Sequence, residues 1–430
     1  MLKSDQELRL YGVYRQDKDE HFMLRVKIPA GFLTSEQATK IAVISKQYSN
    51  GMLHLTSRGN VEFHWLRHEN LEEIFTALAD LGLTTRGACG GAVRGIACST
   101  TNSPRYPVLQ AVAQKLNRHF SGNPAFEGLP KKFKIGVDAD YREARHLIQD
   151  LGLILVNGEK EQVVFDVWCA GGLGREPQAG ILLEQAVPET RLIQLIESVV
   201  EVYRENTPPP KRLKFLLNTI GEKRFRGLLH EAMLKRLAPE QPEEEAVFLQ
   251  AEEGVFIEIP VFAGELKADT LLLLARIAND CAGGFLSVTA NQDIALLAKS
   301  AGEASALQSA LSLKGLNKQH SDEPSTFRIC PGNHECRMGL APTRDIARQV
   351  ISTLDKAAAG RSWAISGCQN SCSQPQLADF GIVTKKLQAD EAGGKQPLFD
   401  LYHRDDDKLG HCIAEELPAN ALYEKIRSLK

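Results

Sequence analysis

The stretch Phe22-Met-Leu-Arg-Val-Lys-Ile-Pro-Ala-Gly31 returns 233 residues later as Val255-Phe-Ile-Glu-Ile-Pro-Val-Phe-Ala-Gly264, and that return divides the chain. The likeness continues without a gap. Gly51-Met-Leu-His-Leu-Thr-Ser-Arg-Gly-Asn60 matches Gly284-Phe-Leu-Ser-Val-Thr-Ala-Asn-Gln-Asp293, and the copies end at Leu81-Gly-Leu83 and Lys314-Gly-Leu316. Apolar alternation over Met23–Ile28 and Met52–Thr56 predicts strands. Thr34 with Gln37 forms a capping box ahead of a helix that carries Ile41 and Ile44. Each copy therefore reads strand, helix, strand, strand, helix, and two such halves can pair about a pseudo-twofold axis. The copies part where charge matters: Arg25 aligns with Glu258 and Arg58 with Asn291, while Thr56 and Thr289 are kept. Arginines on strands that feed a shared core tend to face something anionic. Drift of surface charge on a mere scaffold is the plain alternative.

The region between the copies alternates strands, at Phe133–Asp138, Leu153–Val156 and Val163–Trp168, with helices at Val108–Phe120 and Glu189–Glu205. Thr207-Pro-Pro-Pro210 stops the helical pattern, and Ala238-Pro-Glu-Gln-Pro-Glu-Glu-Glu245 reads as a polar linker. The expected divisions are residues 1–84 and 241–319 as paired half-domains, with 85–240 and 320–430 as two α/β domains. The fold class is thus a mixed one, α+β for the repeat and α/β for the rest. A chain of 430 residues is long enough for such a division.

The last region carries Cys330, Cys336, Cys368 and Cys372, spaced C-x5-C and C-x3-C with 31 residues between the pairs. Four thiolates are the usual complement of one iron–sulfur cluster, and the interval is enough for a helix and a strand that fold the pairs together. A structural zinc site is the alternative, although zinc ribbons normally use tighter C-x2-C knuckles. Cys89, Cys98, Cys169, Cys281 and Cys412 are scattered and read as small apolar residues. Nine cysteines with no secretory pattern at Met1-Leu-Lys-Ser-Asp-Gln-Glu suit a reducing compartment, hence a cytoplasmic location. The greasiest stretch, Thr270–Ala278, is interrupted by Arg276 and reads as a buried helix, so no membrane is expected. A net charge of −3 offers no global field for nucleic acid. Any anion site must be made locally.

Two stretches can make one. Arg94 sits in the glycine-rich run Gly90-Gly-Ala-Val-Arg-Gly-Ile, where backbone and a single cation can approach a ligand closely. In Leu129-Pro-Lys-Lys-Phe-Lys134, period two puts Lys132 and Lys134 on one face, an unfavourable pairing unless an anion lies between them. An edge strand guarded by lysines is the competing reading. Lys211-Arg-Leu-Lys214 is either a solvated helix start or a partner for carboxylates on a large cofactor. Neither the glycines near Arg94 nor Ala170-Gly-Gly-Leu-Gly174 make a dinucleotide fingerprint.

Taken together, the cysteine pattern, Met23-Leu-Arg-Val-Lys-Ile-Pro29, Leu55-Thr-Ser-Arg-Gly-Asn60, Leu129–Lys134 and Leu286–Asp293 make the chain resemble the sirohaem-dependent sulfite and nitrite reductases over nearly its whole length. The resemblance implies ferredoxin-like half-domains paired between two α/β domains that hold a [4Fe–4S] cluster and sirohaem. It implies cluster ligation by Cys330, Cys336, Cys368 and Cys372, with Cys372 bridging to the haem iron. Substrate cations fall on Arg25, Arg94, Lys132 and Lys134. His54, Thr56, Arg58, Lys131, Asn291, Gln292 and Asn370 match cofactor-contacting positions. Glu62 departs from a glutamine in relatives and is left out of the site, since its carboxylate beside an acidic macrocycle would need to be protonated or turned away.

The implied activity is six-electron reduction of sulfite to sulfide, favoured by lysine at 134, where nitrite reductases tend to asparagine. Ammonia-forming nitrite reduction is the alternative. A precorrin-3B synthase-like oxygenase and a non-catalytic haem or electron-transfer protein are more distant readings that have no need of the four cations. Electrons would come from an external ferredoxin or flavoprotein, since no flavin or nicotinamide motif is visible.

Overall fold

The computed structural model describes residues 4–18, 20–98, 103–159, 162–236, 255–316, 325–354, 360–389 and 394–429. The linker expected at 238–245 lies outside them. Within the described residues the repeat holds element by element. Strands Phe22–Val26, Phe32–Thr34 and Met52–Leu55 correspond to Val255–Ile259, Glu265–Lys267 and Phe285–Val288, and helix Ser35–Tyr48 to Ala268–Cys281. The backbone agrees in detail. Ala30 and Ala263 take φ of 55° and 56°, unusual for residues with a Cβ, each followed by a left-handed glycine, Gly31 or Gly264. The capping box between Thr34 and Gln37 forms as the sequence predicts.

The halves do more than pair; each lends a strand to the other. Glu265–Lys267 joins the first sheet, in the order Val13–Arg15, Phe22–Val26, Val61–Leu66, Met52–Leu55, Glu265–Lys267. Phe32–Thr34 joins the second, after Val255–Ile259, Ile294–Ala298 and Phe285–Val288. Each loan covers an edge that would otherwise present unpaired backbone groups. One apolar core results, in which Ile41, Leu53 and Phe63 pack in the same cluster as Leu271, Leu274 and Leu296.

The two remaining units share a topology that sequence likeness did not reveal. In the first, strands Ala97–Cys98, Ile135–Asp138 and Leu151–Glu159 run parallel, and Gln162–Cys169 and Ile181–Pro188 complete the sheet antiparallel. In the second, Thr326–Ile329, Ser362–Ser366 and Phe380–Ala389 are parallel, with Lys395–His403 and His411–Leu417 antiparallel. A helix links the first two strands of each, Tyr106–Phe120 and Thr343–Thr353, and another follows the last strand, Glu189–Asn206 and Ala419–Arg427. No described helix is long and apolar enough to cross a membrane, and Thr270–Ala278 lies within the helix Ala268–Cys281. Cys89, Cys98 and Cys169 are buried as read, whereas Cys281 and Cys412 are half-buried, and none of the nine cysteines forms a disulfide.

The repeat contains a titratable substitution. Asn60 Oδ1 accepts the Ile28 N–H at 3.0 Å, and at the equivalent place Asp293 Oδ1 accepts the Val261 N–H at 2.6 Å. Burial, and then Glu258 nearby, push the Asp293 carboxyl up to about 8. A carboxyl whose folded pKa exceeds its unfolded value binds more protons in the folded state, so stability is lost as pH rises toward that value. Asp293→Asn is therefore expected to unfold at higher temperature than the parent above about pH 8, the difference closing below about pH 4, as read by thermal denaturation.

Candidate active site

A cavity of about 700 Å³ lies where the first half-domain, the first α/β unit and the cysteine-bearing unit meet. Its wall includes all four cysteines of the two pairs, Cys330, Cys336, Cys368 and Cys372, together with Arg25, Arg94, Lys132 and Lys134. Residues separated by more than 340 positions in sequence are thus gathered by the fold around one space.

Close glycine packing brings the cysteine pairs together. Gly332 has φ of 58°, and a Cβ on Gly339 would stand 2.2 Å from its carbonyl carbon, while one on Gly367 would lie 2.8 Å from its Cα. The Gly367 N–H donates to Cys330 Sγ at 3.1 Å. Ser371 and Gln374, both left-handed, bracket the turn that carries Cys372. That turn is pinned from outside: Ser57 Oγ donates to Cys372 O at 2.8 Å, and Arg145 Nη1 to Gln374 Oε1 at 3.2 Å.

Burial raises the Cys336 thiol to about 11 and raises Cys330 and Cys368 as well, with Cys372 a neighbour of each. Such thiols become good ligands only with a cationic centre among them. Among the described residues no three His, Cys, Asp or Glu side chains converge on a single ion. Four thiols on one wall are the usual complement of one iron–sulfur cluster.

The cations face the same space. Lys132 and Lys134 precede the strand Ile135–Asp138, and neither ammonium has a hydrogen-bond or ion-pair partner among the described residues. Burial, and then Arg212, lower Lys132 to about 8; burial and Lys132 itself hold Lys134 well below its ordinary value. Arg94 is aimed by its own glycine-rich loop, donating to Gly87 O at 3.1 Å and Gly90 O at 2.9 Å. Gathering this many like charges around one half-enclosed space is costly unless an anion arrives.

The residues matched to cofactor contacts divide into two groups. His54 and Asn370 line the cavity, and both ring nitrogens of His54 are buried without a hydrogen-bond partner. Thr56, Arg58 and Gln292 also line it but carry structural duties. Thr56 Oγ1 accepts from Asn60 N, Arg58 donates to Gln149, Gly95 O and Ile135 O, and Gln292 Nε2 bonds Leu55 O and Ile329 O. Asn291 is off the cavity wall and accepts from Arg145. Lys131 is exposed and off it too, because backbone alternation turns it away from Lys132 and Lys134.

The reading of Glu62 needs correcting. It lines the cavity, is neither turned away nor protonated, and forms an ion pair with Arg25 at 2.5 Å that holds its carboxyl below the usual range. Lys27 and His64 were also missed as cavity residues. Period two from Arg25 and from Glu62 would have found both. In the Lys211–Lys214 run, Arg212 is buried against Asp150 at 2.7 Å and braces the strand loop rather than meeting solvent.

Thiols gathered for a cluster, beside two unpartnered lysines and the neutral imidazole of His54, suit an acidic macrocycle and a small anion, and define an oxidoreductase centre of the cluster-and-haem class. Comparisons with known proteins agree. Residues 14–81 match the nitrite/sulfite reductase ferredoxin-like half domain, and residues 97–237 match the nitrite and sulphite reductase 4Fe-4S domain. Sulfite reductase [ferredoxin] 2 of Mycolicibacterium paratuberculosis is 26% identical over 87% of this chain and 71% of that protein. Ferredoxin–nitrite reductase of Synechococcus elongatus is 28% identical over 90% of this chain and 81% of that protein. The fold matches that of the Mycobacterium tuberculosis NirA protein with a TM-score of 0.82 at 24% identity, over 98% of this chain and 85% of that one. The chain belongs to the sirohaem- and [4Fe–4S]-dependent sulfite/nitrite reductase family.

If the glycine contact is what joins the cysteine pairs, Gly367→Ala should lose about half or more of its iron and acid-labile sulfide per chain while circular dichroism stays near the parent's. Full loading of the purified variant would show that the pairs meet by other means.

Proposed function

We propose that the chain reduces sulfite to sulfide with six electrons, at sirohaem coupled to the [4Fe–4S] cluster. The observation that carries this reading is the pair of half-buried ammonium groups, Lys132 and Lys134, both on the cavity wall and both without a partner among the described residues. A small oxyanion between them, within reach of Arg94, would receive charge-assisted hydrogen bonds and relieve the repulsion that lowers both lysines. Its arrival favours the ammonium forms, and each lysine can give up one proton as an oxygen leaves as water. Cys330, Cys336, Cys368 and Cys372 would hold the cluster, with Cys372 as the link to the haem, and His54 and Asn370 would border the macrocycle. When bound, the cluster and sirohaem would pass on the donor's electrons, and the chain binds, orients and protonates the anion.

The electron donor is external. The names of the relatives above point to a ferredoxin. Nine cysteines without a disulfide suit a reducing compartment such as the cytoplasm.

Nitrite is the second reading, favoured by one observation. The ion pair with Glu62 offsets the charge of Arg25, and a site with less positive charge is better matched to a monoanion. Turnover of both anions by the loaded enzyme with a reduced viologen separates the readings. Lys134→Asn is expected to lower kcat/KM for sulfite about tenfold more than for nitrite. Equal losses would remove the role given to Lys134.

A further inference from the structure

We propose that Glu62 is the specificity-determining partner of Arg25: by holding that guanidinium it withdraws one cation from the substrate and weakens the cavity's preference for the more highly charged of two oxyanions. The inference rests on the reading of this cavity as an oxyanion-reduction site.

The sheet itself imposes the pairing. Arg25 stands opposite Glu62, Glu62 opposite His54, and His54 opposite Glu265, across four neighbouring antiparallel strands. Directly opposed residues of antiparallel strands project from the same face, so Glu62 cannot lie in register without meeting Arg25. Arg25 Nε donates to Glu62 Oε1 at 2.7 Å, and Nη2 approaches the same oxygen to 2.5 Å. Nη1 is turned to Ala88 O at 3.3 Å. Most of the guanidinium is thus committed before any substrate enters.

The carboxylate has little else to balance it. Its second oxygen faces His54 Nδ1 at 3.7 Å and His64 Nε2 at 3.5 Å, beyond good hydrogen-bond length. Burial pushes His54 down to about 4, so that ring is neutral at ordinary pH. Farther along the row, Glu265 and Glu335 are already paired with Arg344, at 3.0 and 2.7 Å. The charge of Glu62 therefore falls on Arg25. Arg94, Lys132 and Lys134 are left to meet the anion. One unit of charge restored to the site acts about twice as strongly on a dianion as on a monoanion, so the pair sets selectivity by charge rather than by shape.

Glu62→Gln tests this, because the amide keeps the size and an acceptor for Arg25 and removes only the charge. The cofactor-loaded, oxidised parent and variant are titrated with sodium sulfite and with sodium nitrite by visible absorption, and kcat/KM is measured for both. The ratio of affinities, sulfite over nitrite, is expected to rise about tenfold in the variant, with the kcat/KM ratio moving in the same direction. An unchanged ratio, or one that moves toward nitrite, would overturn the proposal. Should Glu62→Gln fail to take up its cofactors, Glu62→Ala carries the same expectation. Loss of loading in both variants would also overturn it, by making Glu62 a structural support. A parent that binds both anions and reduces neither would count against the proposed function alone, since the titrations read Glu62 without turnover.

Discussion

Mutual repulsion among half-buried cations is the constraint on which the rest of this site depends. Arg94, Lys132 and Lys134 point into one cavity, and no carboxylate among the described residues pairs with either lysine. An arrangement of this kind costs folding free energy, because each desolvated charge is opposed by its neighbours. The surrounding structure has to supply that energy. Arg212 against Asp150, the clamp of Arg58 on Gln149 and two backbone carbonyls, and the exchanged strands of the half-domains all hold the cavity wall in place. The strain is relieved when an anion enters, which is what a site built for oxyanions requires.

The duplication explains why only one such site exists in the described cavity. The second half-domain keeps the backbone of the first, down to the left-handed alanine at 263, but places Glu258 and Asn291 where the first has Arg25 and Arg58. Burial raises the Glu258 carboxyl, and Asp293 has taken over the hydrogen bond made by Asn60. The copy has become scaffold. Its remaining contributions are two: Gln292 lines the cavity and ties the first half-domain to the strand leading into Cys330, and Glu265 completes the charged row behind Glu62.

Much of this was legible in the sequence, for identifiable reasons. The repeat survives at fixed offset because Gly31, Gly264 and the alternating apolar positions answer to backbone geometry, which tolerates little change. The cysteines and cations were found because residues of that chemistry at those spacings are hard to explain otherwise. Strand exchange was not legible, since each copy carries the same local pattern whichever sheet it joins. The common topology of the two α/β units was hidden for the opposite reason: strand order survives where no residue needs to. Thr56, Arg58 and Gln292 match cofactor positions and also brace loops, a double duty visible only once their partners are in place. The pairing of Glu62 with Arg25 depends on register, which a list of strands does not give.

The central claim is that the cysteine wall and the cation wall form one coupled centre, with a cluster on the first and sirohaem between them. Iron, acid-labile sulfide and visible absorption measured on one anaerobically purified sample test it most directly. The account predicts one iron per chain beyond the amount of acid-labile sulfide, together with the absorption bands of sirohaem. Iron and sulfide in equal amounts in fully loaded protein, with no sirohaem bands, would contradict it.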